Sequence, residues 1–317
     1  MSGAKAISLH VAVIVLLFAL NFLLPEYHHG VLARVMVFAV FAMGYALLFG
    51  YAGLLSLGHS MFFAAGMYGA ALPVLHLGWS APLAFVAGIA AGAALSLLIA
   101  LLALRTTGVA FMIVTMMFAQ VFYLAIIYFS PWTRGDEGFA LDRQARIVDL
   151  GGYLVDLTNP TARYMIALLL FTIALFTMLR VVTSPFGRVL VAIRENEERT
   201  RMLGYNTFAN KLVAVVVSGT VCAAAGAAYA LLFGFAGAGF ASVQYSILPL
   251  LWSLLGGAAT TLGPALGTLV MYYLVDITSG YTSAYLLFVG ILLMLLVLFF
   301  PKGILGTARD RWARWLP

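Results

Sequence analysis

The sequence specifies an all-α fold, a polytopic integral membrane helical bundle of about eight to ten transmembrane or re-entrant helices. Three observations require it. Of 317 residues, 64% are hydrophobic and only 9% charged, against roughly 25% charged in a soluble domain. The mean hydropathy is +1.07, so lipid is the solvent that suits this surface. Runs such as Val11–Leu20 and Leu286–Phe300 are almost continuously apolar, whereas a membrane-spanning β-barrel would alternate.

The segments follow in order. Ile7–Leu24, after Lys5, exceeds the usual ~7–15-residue core of a signal peptide and has no small-residue cleavage site after it, so it reads as a first membrane helix. Val31–Phe49, Pro82–Leu104, Val109–Phe129, Tyr164–Val182, Leu212–Phe233, Thr261–Ile277 and Tyr285–Phe300 read as further crossings. Leu54–Leu75 is rich in Gly and Ser, and Tyr245–Leu255 is short; each is either a full crossing or a broken, re-entrant helix. The triplets Ser56–Gly58 and Thr261–Gly263 are alike (SLG and TLG), which raises the possibility of an internal repeat.

Two stretches depart from the lipid pattern within what is otherwise a single transmembrane domain, 1–317. Ser130–Ala162 is polar, with turn signals at Gly151–Gly152 and Asn159–Pro160; a small extracytoplasmic cap with a hairpin around Ile147–Leu157 is expected. Thr183–Lys211 reads as one helix, capped by Ser184, with Pro185 in its first turn and Gly204 ending it.

Basic residues set the orientation. With both termini cytoplasmic, that side holds Lys5, Arg105, six cations between Arg180 and Lys211, and the Lys302–Arg314 tail. The short loops opposite are then nearly free of Lys and Arg. The net charge of +6 is explained by these loops, and no basic stripe suited to nucleic acid is present.

Catalytic constellations are absent from the sequence: no H-E-x-x-H, no G-x-S-x-G, and no P-loop to hold a nucleotide. No cofactor or metal is implied. His28 and His29 beside Glu26 read as a solvated turn. Cys222, between apolar neighbours, reads as a packing residue. Asp276, near the end of its segment, is expected to reach water. Candidate path residues are Ser56, Gly58 and His59 in the Gly-rich segment, the polar Thr115 and Gln120, and Gly256 and Gly257. His59 is either a functional intramembrane group or a neutral ring bonded to a neighbour. The charge run Arg194–Arg199, interleaved with Val189, Leu190, Ile193, Met202 and Leu203, suits a helix docked on a soluble partner.

Several of these segments resemble one family. Gly50–Tyr68 (GYAGLLSLGHSMFFAAGMY), Gly108–Met116 (GVAFMIVTM), Ser184–Glu197 (SPFGRVLVAIRENE), Gly256-Gly257, Gly263-Pro264, Gly267 and Phe300–Gly306 (FPKGILG) are similar to the signatures of LivM-type permeases of branched-chain amino acid importers. The resemblance implies a transport subunit in a bacterial inner membrane, without an ATPase site of its own. Its implied partners are a second, LivH-like permease, two ATPase subunits and a periplasmic substrate-binding protein. It implies an ATPase-coupling role for Arg194, Glu195, Asn196, Glu197, Glu198 and Gly204. Thr133–Phe139 (TRGDEGF) departs from the family's Thr-Gly-Gly pattern at the loop expected to face the binding protein, which keeps urea and short amides open as cargo. An ion-coupled carrier working alone is a second alternative, disfavoured by the scarcity of mid-membrane charge pairs. A lipid-acting membrane enzyme is a third, for which only Glu26, His28 and His29 stand together.

Overall fold

The apolar runs fold into helices close to where the sequence places them. The computed structural model describes residues 2–149, 154–281, 284–300 and 302–311. The helices are α1 (Ser2–Leu23), α2 (Glu26–Ala46), α3 (His59–Leu77), α4 (Ala81–Ala103), α5 (Gly108–Tyr128), α6 (Ser130–Thr133), α7 (Pro160–Thr183), α8 (Pro185–Glu195), α9 (Glu197–Met202), α10 (Thr207–Phe233), α11 (Val243–Gly256), α12 (Gly263–Tyr281), α13 (Tyr285–Phe299) and α14 (Gly303–Arg311). Among the described residues, seven helices are long and apolar enough to cross a membrane: α1, α2 with the turn that follows it, α3, α4, α5, α7 and α10.

Small residues let the central helices approach closely. α10 packs against α2, α3 and α4. A Cβ on Gly66 of α3 would lie 2.0 Å from the Ala223 carbonyl oxygen, and one on Gly226 of α10 would lie 1.9 Å from that of Phe63. Gly88, Gly92 and Ser96, four residues apart along α4, form its buried seam, the spacing that brings backbones together where lipid gives no hydrophobic drive for association. Cys222 of α10 faces α2 instead, buried beside Gly44, its thiol donating to the Phe41 carbonyl at 3.6 Å. The outer faces of α1, α4 and α5 expose Val15, Leu16, Phe22, Val86, Leu98, Val121 and Leu124, a surface that lipid or another apolar subunit must cover. Inside, Phe38, Phe41, Phe63, Tyr229, Phe240, Tyr245 and Trp252 form an aromatic cluster with centroids 4.9–6.5 Å apart.

Two irregular loops interrupt the bundle. α2 runs into a π-helical turn, Leu47–Tyr51, a geometry common at functional sites, and residues 52–58 are non-helical before α3 starts at His59. Gly53, at φ +71°, makes the turn that a side chain would resist. The chain is thus broken between α2 and α3, while α3 itself, from His59 onward, is one helix long enough to cross a membrane. α11, with 14 residues, is about 21 Å long, short of the ~30 Å hydrocarbon core. Residues 257–262 then lead into α12. Ser56–Gly58 and Thr261–Gly263 thus occupy the same place, at the end of a loop where a helix begins.

The polar stretch between α5 and α7 holds the expected hairpin: β2 (Ile147–Asp149) pairs antiparallel with β3 (Leu154–Asp156). Its predicted turn residues, Gly151 and Gly152, lie outside the described residues. β1 (Phe139–Ala140) pairs with β4 (Phe235–Ala236) and ties this cap to the chain beyond α10.

Three readings of the sequence are revised. The Thr183–Lys211 helix is two helices, because Asn196 is extended (φ −161°, ψ 104°) and its side chain accepts from the Arg199 amide, capping α9 afresh. Its two ends behave as expected: Ser184 accepts from the Gly187 amide, and Gly204, at φ +90°, turns the chain. His28 and His29 are not in a solvated turn. α2 starts at Glu26, which puts His28 Nδ1 3.2 Å from the Tyr273 hydroxyl and buries His29 against the Tyr164 ring. Asp276 does not simply reach water: it lies within α12 and accepts from the Tyr27 hydroxyl at 2.7 Å.

Candidate functional site

Where α3 begins, the predicted residues Ser56, Gly58, His59 and Thr115 come together, because the broken helix leaves backbone groups that need partners deep in the bundle. Ser56 Oγ accepts from the Gly58 amide at 3.2 Å and lies 3.1 Å from His59 Nδ1. His59 Nε2 is 2.9 Å from Ser218 Oγ, which itself donates to the Gly44 carbonyl at 2.6 Å. Ser218 has spent its proton, so Nε2 carries the ring proton and Nδ1 accepts from Ser56. The Leu57 amide donates to Thr115 Oγ1 at 3.2 Å, and a Cβ on Gly58 would meet the Thr115 carbonyl oxygen at 2.4 Å. The imidazole is fully buried and satisfied as a neutral ring. Of the two readings of His59, this geometry matches the bonded neutral ring.

Next to this knot two helix starts meet. The Ser60 amide of α3 donates to Ser246 Oγ of α11 at 2.9 Å, Ser246 Oγ donates to Ser60 Oγ at 2.7 Å, and Ser60 Oγ donates to the Ala241 carbonyl at 3.1 Å. Sequence reasoning missed Ser60, Ser218 and Ser246. Ser60 stands in the Gly-rich segment already singled out; the other two are hydroxyls within the apolar runs Leu212–Phe233 and Tyr245–Leu255, 158 and 186 positions from it.

Gln120 is not part of the knot. It sits on the exposed side of α5, five positions from Thr115 and so on a different face. Gly256 and Gly257 are also elsewhere, at the end of α11, where a Cβ on Gly256 would be 1.7 Å from the Gly263 carbonyl oxygen and Gly257 takes φ +115°. They close the turn from α11 to α12 and seat α14, whose Arg309 donates to the Ala259 carbonyl at 2.9 Å.

The charged arm, α8 and α9, reaches this broken-helix architecture through one side chain. Arg194 donates to the Gly50 carbonyl and to Glu195 Oε1, and its methylenes cover Gly53. Gly50 in turn abuts the Ala258 carbonyl of the second loop, where a Cβ would come within 1.9 Å. Arg194, Lys302 and Arg309 border a 430 Å³ recess beside both loops. Behind Arg194, Leu190 and Ile193 are buried and hold α8 to the bundle. α9 is held by Glu197, whose carboxylate accepts from the buried ammonium of Lys211. Burial opposes ionisation of Glu197, but hydrogen bonds from Lys211 and Thr207 and the charges of Lys211 and Arg201 win, leaving its pKa below the ordinary 4.5. Glu195, Asn196 and Glu198 face outward, and beyond them Met202, Leu203 and Tyr205 are 84%, 71% and 49% exposed. Such an apolar tip ringed by charges is what a groove on another protein can receive.

Comparison with known proteins agrees with this architecture. Residues 28–299 match the family described as the permease component of branched-chain amino acid transport systems. The chain is 26% identical over 322 residues to the LivM high-affinity branched-chain amino acid permease protein of Salmonella typhimurium, covering 95% of this chain and 75% of that one. The Escherichia coli LivM protein is equally similar, 26% over 323 residues with the same coverage. A probable LivM permease of Methanocaldococcus jannaschii is 30% identical over 142 residues, 40% of this chain and 41% of the relative. No solved structure matches. A multi-pass helical bundle with two broken-helix loops, matched over nearly its whole length, is a transport permease, and the chain belongs to the family of permease components of branched-chain amino acid transport systems.

Proposed function

We infer that this subunit forms half of the membrane channel of an ATP-driven importer that takes branched-chain amino acids from a periplasmic binding protein, in a bacterial inner membrane, with both termini cytoplasmic. A second permease completes the channel, and two ATPase subunits supply the energy. The observation that carries this reading is the contact of Arg194 with the Gly50 carbonyl. It joins the arm to the loop that leads, six residues later, into the Ser56–His59 knot.

In this reading the ATPases grip Glu195, Glu198 and the tip at Met202 and Leu203. Closure of the ATPases around nucleotide moves α8, and Arg194 moves the Gly50–Gly53 turn with it. The loop at Ala258 follows because Gly50 lies against it. The broken helices then hinge at their knot and expose the path to alternate sides. A partner can drive this only if it contacts the arm differently in the two states.

The test is uptake by the whole importer in proteoliposomes. It should concentrate L-leucine with ATP inside, while the lone subunit moves nothing uphill. Replacing Glu195 and Glu198 with alanine should keep the complex assembled yet leave ATP hydrolysis without uptake. Concentrative transport by the isolated chain under an ion gradient, or cargo limited to urea and short amides, would overturn the reading.

A further inference from the structure

The 430 Å³ recess beside the two loops is lined by three cations, Arg194, Lys302 and Arg309, against one carboxylate, Asp310. Its size is that of a small-molecule site. Lys302 Nζ donates to Asp310 Oδ2. The Arg194 side chain is 33% exposed and shares Glu195, whose own side chain is 69% exposed and turned outward. Arg309 is half-buried and donates to the Ala259 carbonyl. It forms no ion pair among the described residues. A backbone carbonyl accepts a hydrogen bond but does not neutralise a guanidinium.

Like charges that converge on a partly covered recess repel more strongly than in open water, because the effective dielectric is lower. Three cations against one acid therefore leave a demand for negative charge. The two arginines present planar N–H forks that fit phosphate oxygens two at a time, and the lysine adds a compact point charge. The surroundings say where such an anion comes from. α13 exposes Met294, Leu295, Leu298 and Phe299, a face suited to lipid tails, and Lys302 follows Phe299 by three positions. The recess thus stands where a lipid-facing helix ends, at the level of the headgroups. Basic pockets between membrane helices are places where anionic headgroups bind.

We propose that this recess binds a phosphate-bearing anion, with Arg194 and Arg309 gripping its oxygens and Lys302 completing the charge. An anionic phospholipid headgroup and free inorganic phosphate share that chemistry. A phosphate seated there touches both arginines that hold the loops, Arg194 on the Gly50 carbonyl and Arg309 on that of Ala259. It therefore bridges the two loops across the recess. Occupancy depends on these side chains and not on the cargo, so it stands or falls independently of the transport reading.

The test follows acetylation of Lys302 by acetic anhydride in the complete importer, held in nanodiscs so that both membrane faces meet the reagent. The chain has three lysines. Lys211 is buried, and Lys5, exposed on α1, reports the general surface potential. Peptide mass spectrometry compares neutral phosphatidylcholine alone, the same lipid with phosphatidylglycerol, and the same lipid with inorganic phosphate. An addition that fills the recess should slow Lys302 at least about fivefold beyond Lys5, the factor equal to about 1 kcal/mol for one cation at an anionic surface. Protection by phosphatidylglycerol alone assigns the headgroup, and protection by phosphate in neutral lipid assigns the soluble anion. Arg309→Gln should remove the excess protection, and Arg309→Lys should keep most of it. Three results rule the site out: no slowing of Lys302 beyond that of Lys5, excess protection that survives Arg309→Gln, or a Lys302 already unreactive in neutral lipid without phosphate because a partner subunit fills the recess.

Discussion

Replacing Glu197 with alanine should release α9 from α10 without unfolding the bundle. The Lys211 side chain is 9% exposed and the Glu197 side chain 31%. Removing one partner of a fully buried pair costs about 3–5 kcal/mol, because the other charge is left unpaired, whereas an exposed pair is worth about 0–1 kcal/mol. With one partner buried and the other wet, the loss should be about 2 kcal/mol. It falls on a helix of six residues, which has little else to hold it, so the docked-to-released ratio of the arm tip should drop about thirtyfold, at 1.4 kcal/mol per decade. Hydrogen exchange would read this as faster exchange at the amides of Arg199–Leu203, with the protection of α2 and α10 intact. ATP hydrolysed per leucine imported should rise in parallel. Acid should imitate the substitution. The lowered pKa of Glu197 means that its contribution is complete above 4.5 and disappears as pH falls through the lowered value. Unchanged exchange at α9 in the alanine variant would refute the claim that this ion pair holds the arm.

Gly226→Leu should be among the most damaging single changes in the membrane core. Even a Cβ there meets the Phe63 carbonyl at 1.9 Å, so overpacking of at least about 1–3 kcal/mol should appear as a lower melting temperature in detergent. Met202→Asp, at a position 84% exposed, should leave that melting temperature unchanged and abolish pull-down of the ATPase subunits. The cap hairpin should resist acid. Hydrogen bonds from the Thr158 hydroxyl and from Arg143, with the Thr158 amide, hold Asp156 down to about 2, so protection of β2–β3 from limited acid proteolysis should persist to near pH 3 and be lost as pH falls through about 2, whereas Asp156→Asn should open it at every pH.

The elements that were legible in the sequence are those set by local chemistry. Continuous apolar runs gave the helices, Gly50, Gly53 and Gly58 marked the broken one, and Asn159, Ser184 and Gly204 marked ends. The break at Asn196 was misread because a residue that is unremarkable inside a charged helix becomes a cap once the next helix has to turn toward Lys211. His28 and His29 looked solvated because their partners, Tyr273 and Tyr164, stand far along the chain. The knot was half visible. Ser56, Gly58 and His59 announced themselves by clustering, but Ser218 and Ser246 are hydroxyls within apolar runs whose meaning depends on which helix lies opposite, and that is set by packing of small residues. Tyr27 and Asp276 fall under the same limit: separated by 249 positions, they meet only when α12 is laid beside α2.

A satisfied knot at the midpoint of a transport subunit needs a physical explanation, since a path must change shape. The hydrogen bonds of Ser56, His59, Ser218 and Thr115 are mutually consistent and join α2, α3, α5 and α10 at one point, so they act as a fixed pivot. Movement then belongs to what surrounds the pivot: the Gly50–Gly53 turn on one side, held by Arg194, and the 257–262 loop on the other, held by Arg309. Both clamps are guanidiniums on backbone carbonyls, and both line the same recess. In the transport reading proposed above, a push on the arm would turn α3 and α11 about their shared start at Ser60 and Ser246. Without the pivot the same push would only fray the loop.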